Sequence, residues 1–312
     1  PQRLELPPHR APEAPSPFGF GRVFVLDLES DCGQRCSFCS TRAKWSPVGD
    51  FPPDVGATLK AGLREARSDG YHALRLSGLD PLQHPALLDA LREAVACGYD
   101  HVHLYSPSTR YADSAFLDDL LEACGDVERT FHIPLYGPNA EVHDRVTGTP
   151  GSFDAVLAGV EALWAAGQGE RIVWLSVLTR SNAPRWAETL ERMGQRPGPV
   201  QVFLPFPSTR AADDAFFTQA TTHTEALEAL AAGEGPTRGL AEILPCVRYR
   251  HERDHGTPVL TQGPFHPVTA LLGTLFEHAD YRRLSDGPGG TPFTIPTRAC
   301  PHGEACALAD LA

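Results

Sequence analysis

The chain has 312 residues, of which 42% are hydrophobic and 21% charged, with a formal net charge of −12. That is enough apolar material for one large core, or a core with an appendage, and the negative balance argues against a protein that grips nucleic-acid backbone non-specifically. No apolar run approaches bilayer length, so no membrane segment is expected, and the Pro-rich arm over residues 1–20 lacks a signal-peptide core.

From Arg22 onward strand-like and helix-like segments alternate. Apolar β-type runs at 22–28, 72–77, 101–106, 130–135, 171–178 and 199–205 predict strands. Helical patterns lie between them at Ala57 to Ala66, Pro85 to Ala96, Asp113 to Cys124, Phe153 to Ala165 and Pro184 to Met193. Six such β/α units predict an α/β fold with a parallel sheet and right-handed crossovers, a partial (β/α)6 barrel over 21–208. By analogy with complete β/α barrels, the active site is expected at the carboxyl ends of the strands. The remainder, 209–312, loses the alternation. It holds a polar helical piece at His223 to Ala231, an amphipathic pattern near Val268 to Ala279 and a Cys-containing tail, and reads as an irregular C-terminal extension.

Just past the first predicted strand comes Cys32-Gly33-Gln34-Arg35-Cys36-Ser37-Phe38-Cys39, three cysteines in C-x3-C-x2-C spacing. Three thiolates on one short loop can hold three irons of a 4Fe–4S cluster and leave the fourth iron open for chemistry. A zinc site normally takes four protein ligands in two spaced pairs, and only one C-x2-C pair stands here. Eight cysteines in the chain are too few for a disulfide scaffold, and a reducing cytoplasm suits both thiolates and oxygen-sensitive clusters. The spacing, with Phe38 before the third cysteine, resembles the signature of the radical S-adenosylmethionine (radical SAM) superfamily. The resemblance implies a partial barrel whose open iron is chelated by SAM. Reductive cleavage of SAM would then give a 5′-deoxyadenosyl radical that abstracts hydrogen from a substrate.

Further landmarks follow in chain order. Leu76-Ser77-Gly78-Leu79-Asp80-Pro81 resembles, imperfectly, the Gly-Gly-Glu-Pro segment that receives the SAM ammonium; Gly78 and Asp80 would take that role, or form an ordinary turn. Leu135 to Phe153, with His143-Asp144 and Gly151-Ser152-Phe153, is similar to radical SAM enzymes that carry an additional C-terminal cluster domain. Arg145 in it could pair with the SAM carboxylate or lie on the surface. Ser176 and Asn182, at the end of the fifth strand, are candidates for holding ribose hydroxyls or a carboxylate, Asn182 alternatively as a helix cap. Leu204 would pack near the adenine, by resemblance only.

Cys97 and Cys124 read as ordinary buried cysteines. Cys246, Cys300 and Cys306 fall in the irregular third and could hold a second iron–sulfur cluster, as in extensions of SPASM or twitch type. The spacing departs from the usual pattern of those extensions and a fourth cysteine is missing. A disulfide or zinc clip between Cys300 and Cys306 is the plain alternative. Cys246 has a rival role as a catalytic hydrogen-atom donor, which a weak S–H bond suits.

The resemblance thus implies an enzyme acting on an unactivated C–H of a peptide or other small-molecule natural product, with epimerisation, dehydrogenation or crosslinking as outcomes. The partners it implies are a reductant such as flavodoxin or ferredoxin and, for a peptide, direct binding or a separate leader-peptide-binding protein. The 20 or so residues before the first strand are too few for a fused leader-binding or cobalamin domain. The competing expectation is a non-catalytic iron–sulfur or zinc protein acting as sensor or scaffold.

Overall fold

The computed structural model describes residues 22–28, 30–36, 38–39, 54–205, 219–221, 223–232 and 237–238. Cys246, Cys300, Cys306 and the pattern near Val268 lie outside the described residues. Seven strands form a parallel sheet in chain order: β1 (Arg22–Leu28), β2 (Tyr71–Gly78), β3 (His101–Tyr105), β4 (Glu128–Pro134), β5 (Ile172–Val177), β6 (Val200–Phe203) and β7 (Thr237–Arg238). β1 and β7 stand at opposite edges, so the sheet is open. The helices are α1 (Val55–Ser68), α2 (Leu87–Ala96), α3 (Ser114–Cys124), α4 (Ala140–Thr147), α5 (Ser152–Ala165), α6 (Trp186–Gly194) and α7 (His223–Ala232). The first six strands match the sequence expectation to within two residues at each end. α4 is an addition: Asn139 caps it by accepting from Val142 N–H at 3.2 Å, and Gly148 closes it after only eight residues.

Side-chain alternation divides the sheet into two faces. Leu28, Leu74, Leu76, Val102, Leu104, Phe131, Ile133, Ile172 and Trp174 are buried in one continuous core with the helices. The intervening residues, among them Arg75, His103 and Tyr105, turn to the other face and are only half-buried. One face of the sheet is thus sealed by helices. The other is lined by larger polar groups and stays accessible.

Loops at the carboxyl edge are tied by close backbone approach. Ser108, the described non-glycine residue with positive φ (65°), donates its hydroxyl to the Val156 carbonyl of α5 at 3.0 Å. This contact needs Gly159, where an added Cβ would stand 2.0 Å from the Ser108 carbonyl oxygen. A helix-interior Gly→Ala change ordinarily stabilises by roughly 1 kcal/mol. Here the clash reverses the sign: Gly159→Ala is expected to destabilise by about 1–3 kcal/mol in urea unfolding, because the α5–Ser108 contact must open. Unchanged or increased stability would show that the approach is looser than described.

Candidate active site

The site is built where β1 and β2 end. Leu28 pairs with Gly78, whose φ is +120° and where an added Cβ would meet the Leu28 carbonyl oxygen at 2.6 Å. Gly78 therefore lets the two strand ends close together. The chain leaving β1 is then pinned at several points. Ser30 donates its hydroxyl to the Asp80 carbonyl, and the Arg35 N–H donates to the Thr147 carbonyl at the end of α4 at 2.7 Å. Thr149 donates its hydroxyl to the Gly33 carbonyl at 3.1 Å. Within the loop the Arg35 guanidinium donates to the Cys32 carbonyl at 2.5 Å, and the Cys39 N–H to the Cys36 carbonyl at 3.2 Å.

Cys36 is buried with Tyr136 and Val146, and Phe38, Cys39 and Val177 pack against them. Phe38 meets Tyr136 edge-on, ring centres 5.2 Å apart. Val177 alternates with Ser176, which is fully buried on the side of Ile172 and Trp174. The cysteine loop thus covers the accessible face of the sheet at its carboxyl edge.

The donor set fits an iron–sulfur cluster. Burial pushes the Cys32 thiol up to about 11, with Asp80 and Cys39 adding to the rise. Cys36 is raised further, by burial and by the charges of Cys39 and Cys32. Thiolates placed this way repel one another until irons between them supply positive charge. Among the described residues no three His, Cys, Asp or Glu side chains converge as ligands of a single ion.

The other sequence candidates are distributed around this centre. Asp80 is 1% exposed and its carboxylate accepts from Ser106 Oγ (2.8 Å), Leu82 N–H (3.2 Å) and Gln83 Nε2 (3.3 Å). Burial raises its pKa while these three bonds oppose the rise. It is a turn cap, and it lies close enough to Cys32 to affect that thiol. Arg145 is exposed on α4 and pairs with Glu141 at 2.9 Å, which corresponds to its surface reading. Asn182 closes the turn after β5: its Oδ1 accepts from Thr179 N–H at 2.7 Å and its Nδ2 donates to the Val177 carbonyl at 3.0 Å. The Ser176 hydroxyl has no hydrogen-bond partner on the helix-covered side, and Leu204 packs against the main core. Cys97 and Cys124 are free thiols, the first half-buried and the second buried.

Three features escaped the sequence reading. Ser106 and Ser108 link Asp80 to α5, since the Ser108 N–H donates to Ser106 Oγ at 3.1 Å. His143, fully buried, accepts the Tyr136 N–H at 3.1 Å and thereby sets the ring that packs on Phe38. Asp144 caps α5 through Phe153 N–H (2.8 Å) and Gly151 N–H (2.6 Å). The His-x-His-x-Tyr alternation of β3 was a readable signal for a polar row on the accessible face.

The fold and site are thus a parallel β/α sheet with three thiols looped at the carboxyl edge of its first strand. The chain belongs to the radical SAM superfamily: the sequence profile described as "Radical SAM superfamily" matches residues 30–192, just over half of it. The cofactors of that family are a 4Fe–4S cluster and SAM. Among curated proteins, an AdoMet-dependent heme synthase of Methanosarcina barkeri is 32% identical over 143 residues, 46% of this chain and 39% of its own length. Another, of Oleidesulfovibrio alaskensis, is 27% identical over 195 residues, 61% of this chain and 47% of its own. The chain thus spans less than half the length of these relatives. Among solved structures, Streptococcus suis SuiB bound to S-adenosylmethionine shares the fold, with a TM-score of 0.51 at 11% identity over 78% of this chain and 51% of that one. Native anSMEcpe with bound AdoMet and the Kp18Cys peptide shares it too, with a TM-score of 0.53 at 13% identity over 77% of this chain and 63% of that one. Among the described residues no helix is long and apolar enough to cross a membrane.

The buried imidazoles give a pH prediction. Burial holds His143 and His103 down to about 4 against an ordinary value of 6.5. Below pH 6.5 the unfolded chain therefore binds protons that the folded chain refuses, and stability is lost as pH falls from about 6.5 towards 4. Each group should contribute a slope of about 1 kcal/mol per pH unit in that window. The depressed Asp144 carboxyl acts separately, below 3.8. Denaturant midpoints measured from pH 7.5 to 4.5 should fall on the acid side, and less steeply in His143→Gln. An identical slope in that variant would contradict the assignment.

Proposed function

We propose that this radical SAM enzyme binds SAM at the open iron of a cluster held by Cys32, Cys36 and Cys39, and abstracts hydrogen from an unactivated C–H of a peptide or natural-product substrate. The observation that carries the reading is the position of the cysteine loop, which follows β1 and covers the accessible face of the sheet at its carboxyl edge, within the residues that match the family. The bound cluster would supply the electron that cleaves SAM reductively to methionine and a 5′-deoxyadenosyl radical, with a ferredoxin- or flavodoxin-like protein as one-electron donor. With SAM bound, this chemistry would move a substrate hydrogen atom onto the 5′ carbon to give 5′-deoxyadenosine. The chain's own residues fix the geometry: Phe38, Tyr136 and Val146 exclude water around Cys36, and the Asp80 turn with Gly78 shapes the corner beside Cys32. Asp80 remains the candidate for the SAM ammonium, and Arg145, Ser176, Asn182 and Leu204 are weaker ones, since the first is surface-paired and the others are engaged in turn or core.

The peptide reading is supported by the fold shared with anSMEcpe, solved with a peptide bound, and with SuiB, which was solved with its precursor peptide SuiA. A second substrate reading rests on the two curated relatives named AdoMet-dependent heme synthase. It makes a heme-type precursor the alternative. Epimerisation, dehydrogenation and crosslinking all remain outcomes of one abstraction.

Replacing Cys32, Cys36 and Cys39 together with Ala should abolish 5′-deoxyadenosine formation by anaerobically reconstituted, reduced protein. Retained cleavage would contradict the reading, and a reconstituted wild type with bound cluster but no cleavage would favour the sensor or scaffold alternative. The same triple variant tests the second centre proposed for Cys246, Cys300 and Cys306. Roughly four irons per chain should remain if those cysteines hold a four-iron cluster. Loss of all iron, with Cys300 and Cys306 joined as a disulfide, would leave one cluster and make Cys246 the candidate hydrogen-atom donor.

A further inference from the structure

The accessible face of the sheet carries a connected polar row that the reaction above does not use. The Arg75 guanidinium lies 4.1 Å over the Tyr105 ring. Tyr105 stacks on His132 with ring centres 4.0 Å apart and an interplanar angle of 4°. His132 Nε2 is 3.1 Å from His103 Nδ1, and His103 stacks at 4.2 Å on His101, whose Nε2 is 2.8 Å from Thr130 Oγ1. Strand register sets these neighbours: Arg75 pairs with His103, and Tyr105 with His132.

Two atoms of the row are orphans. Arg75 Nε and His132 Nδ1 are buried and have no hydrogen-bond partner, although His132 is only 4% exposed. Among the described residues no acidic side chain forms an ion pair with Arg75. A partly desolvated guanidinium with no acceptor among the described residues has its natural complement in an anion. Burial holds the His103 and His132 imidazoles neutral, so Arg75 is the charged member of the row at neutral pH. If His103 Nδ1–H donates to His132 Nε2, the orphaned His132 Nδ1–H is left to donate to a ligand. Arg75 precedes Gly78 by three residues, which places it about 10 Å below the strand edge, on the face that the cysteine loop covers.

We propose that Arg75, Tyr105 and His132 form a subsite for a carboxylate of the substrate, on the sheet face that the cysteine loop covers; the assignment to substrate rests on the reading of the chain as a radical enzyme. The guanidinium takes the carboxylate through its fork, His132 donates a further hydrogen bond, and the carboxylate end of the substrate points away from the cluster.

The test is an NMR titration of the full chain, following the imidazole nitrogens, with sodium butyrate and with butyramide as the uncharged control. Butyrate should shift the His103 and His132 signals and butyramide should not. Arg75→Gln should weaken butyrate binding by about tenfold or more, with Arg75→Lys between the two, because it keeps the charge and loses the fork. Equal shifts with butyramide, or equal affinity in a folded Arg75→Gln protein, would overturn the subsite. If Arg75→Gln fails to fold, the wild-type pair of ligands and Arg75→Lys decide. A third arm repeats the butyrate titration on reconstituted protein saturated with SAM. Simultaneous binding supports a substrate carboxylate, and displacement would assign Arg75 to the SAM carboxylate instead, overturning the proposal. Protein that forms 5′-deoxyadenosine yet ignores butyrate refutes the subsite alone; protein that binds butyrate yet never cleaves SAM refutes the radical reading alone.

Discussion

The constraint on which the rest depends is the burial of a cysteine loop in which Cys32 and Cys36 are kept from ionising, first by removal from water and then by their neighbouring cysteines. Cys36 is almost wholly removed from water, and Cys32 and Cys39 both raise its pKa. Such a loop holds thiols by itself and thiolates only when metal charge is shared among them. The surrounding structure keeps that loop in place through hydrogen bonds to its neighbours. Its anchors are backbone carbonyls at Asp80 and Thr147, groups that do not titrate.

Those anchors are held in turn from the opposite side. Asp80 is tied through Ser106 and Ser108 to α5, and Thr147 ends a helix whose neighbour, α5, is capped by Asp144. Both ties converge on α5, so that helix braces the cysteine loop without touching it. His143 adds a third tie by holding the Tyr136 backbone, and with it the ring against Phe38. The result is a cysteine loop fixed over a sheet face that carries half-buried polar groups.

Much of this was readable in the chain. Runs such as Val23 to Leu28 and Ile172 to Val177 betray strands because apolar residues recur there between Gly and polar punctuation, and the cysteine spacing marks the site directly. α4 was not readable as a helix, since its eight residues are mostly polar and owe their helicity to the Asn139 cap. Ser106 and Ser108 are anonymous in sequence; their role comes from a left-handed backbone at Ser108 and the bare surface of Gly159 across from it. Arg145 takes the surface position that was one of its two readings. A lone arginine in a motif suggests a ligand, but a glutamate one helical turn earlier already pairs with it. Ser176 depends on parity: strand alternation turns it toward the helices, while its neighbour Val177 faces the cysteines.

The central claim is that the three cysteines leave one iron of their cluster free for SAM. Mössbauer spectroscopy of the full chain, with Cys246, Cys300 and Cys306 replaced by Ala and reconstituted with 57Fe, tests it most directly. Adding SAM should shift one iron site to higher coordination and leave the others unchanged. A spectrum that SAM does not alter would contradict the account.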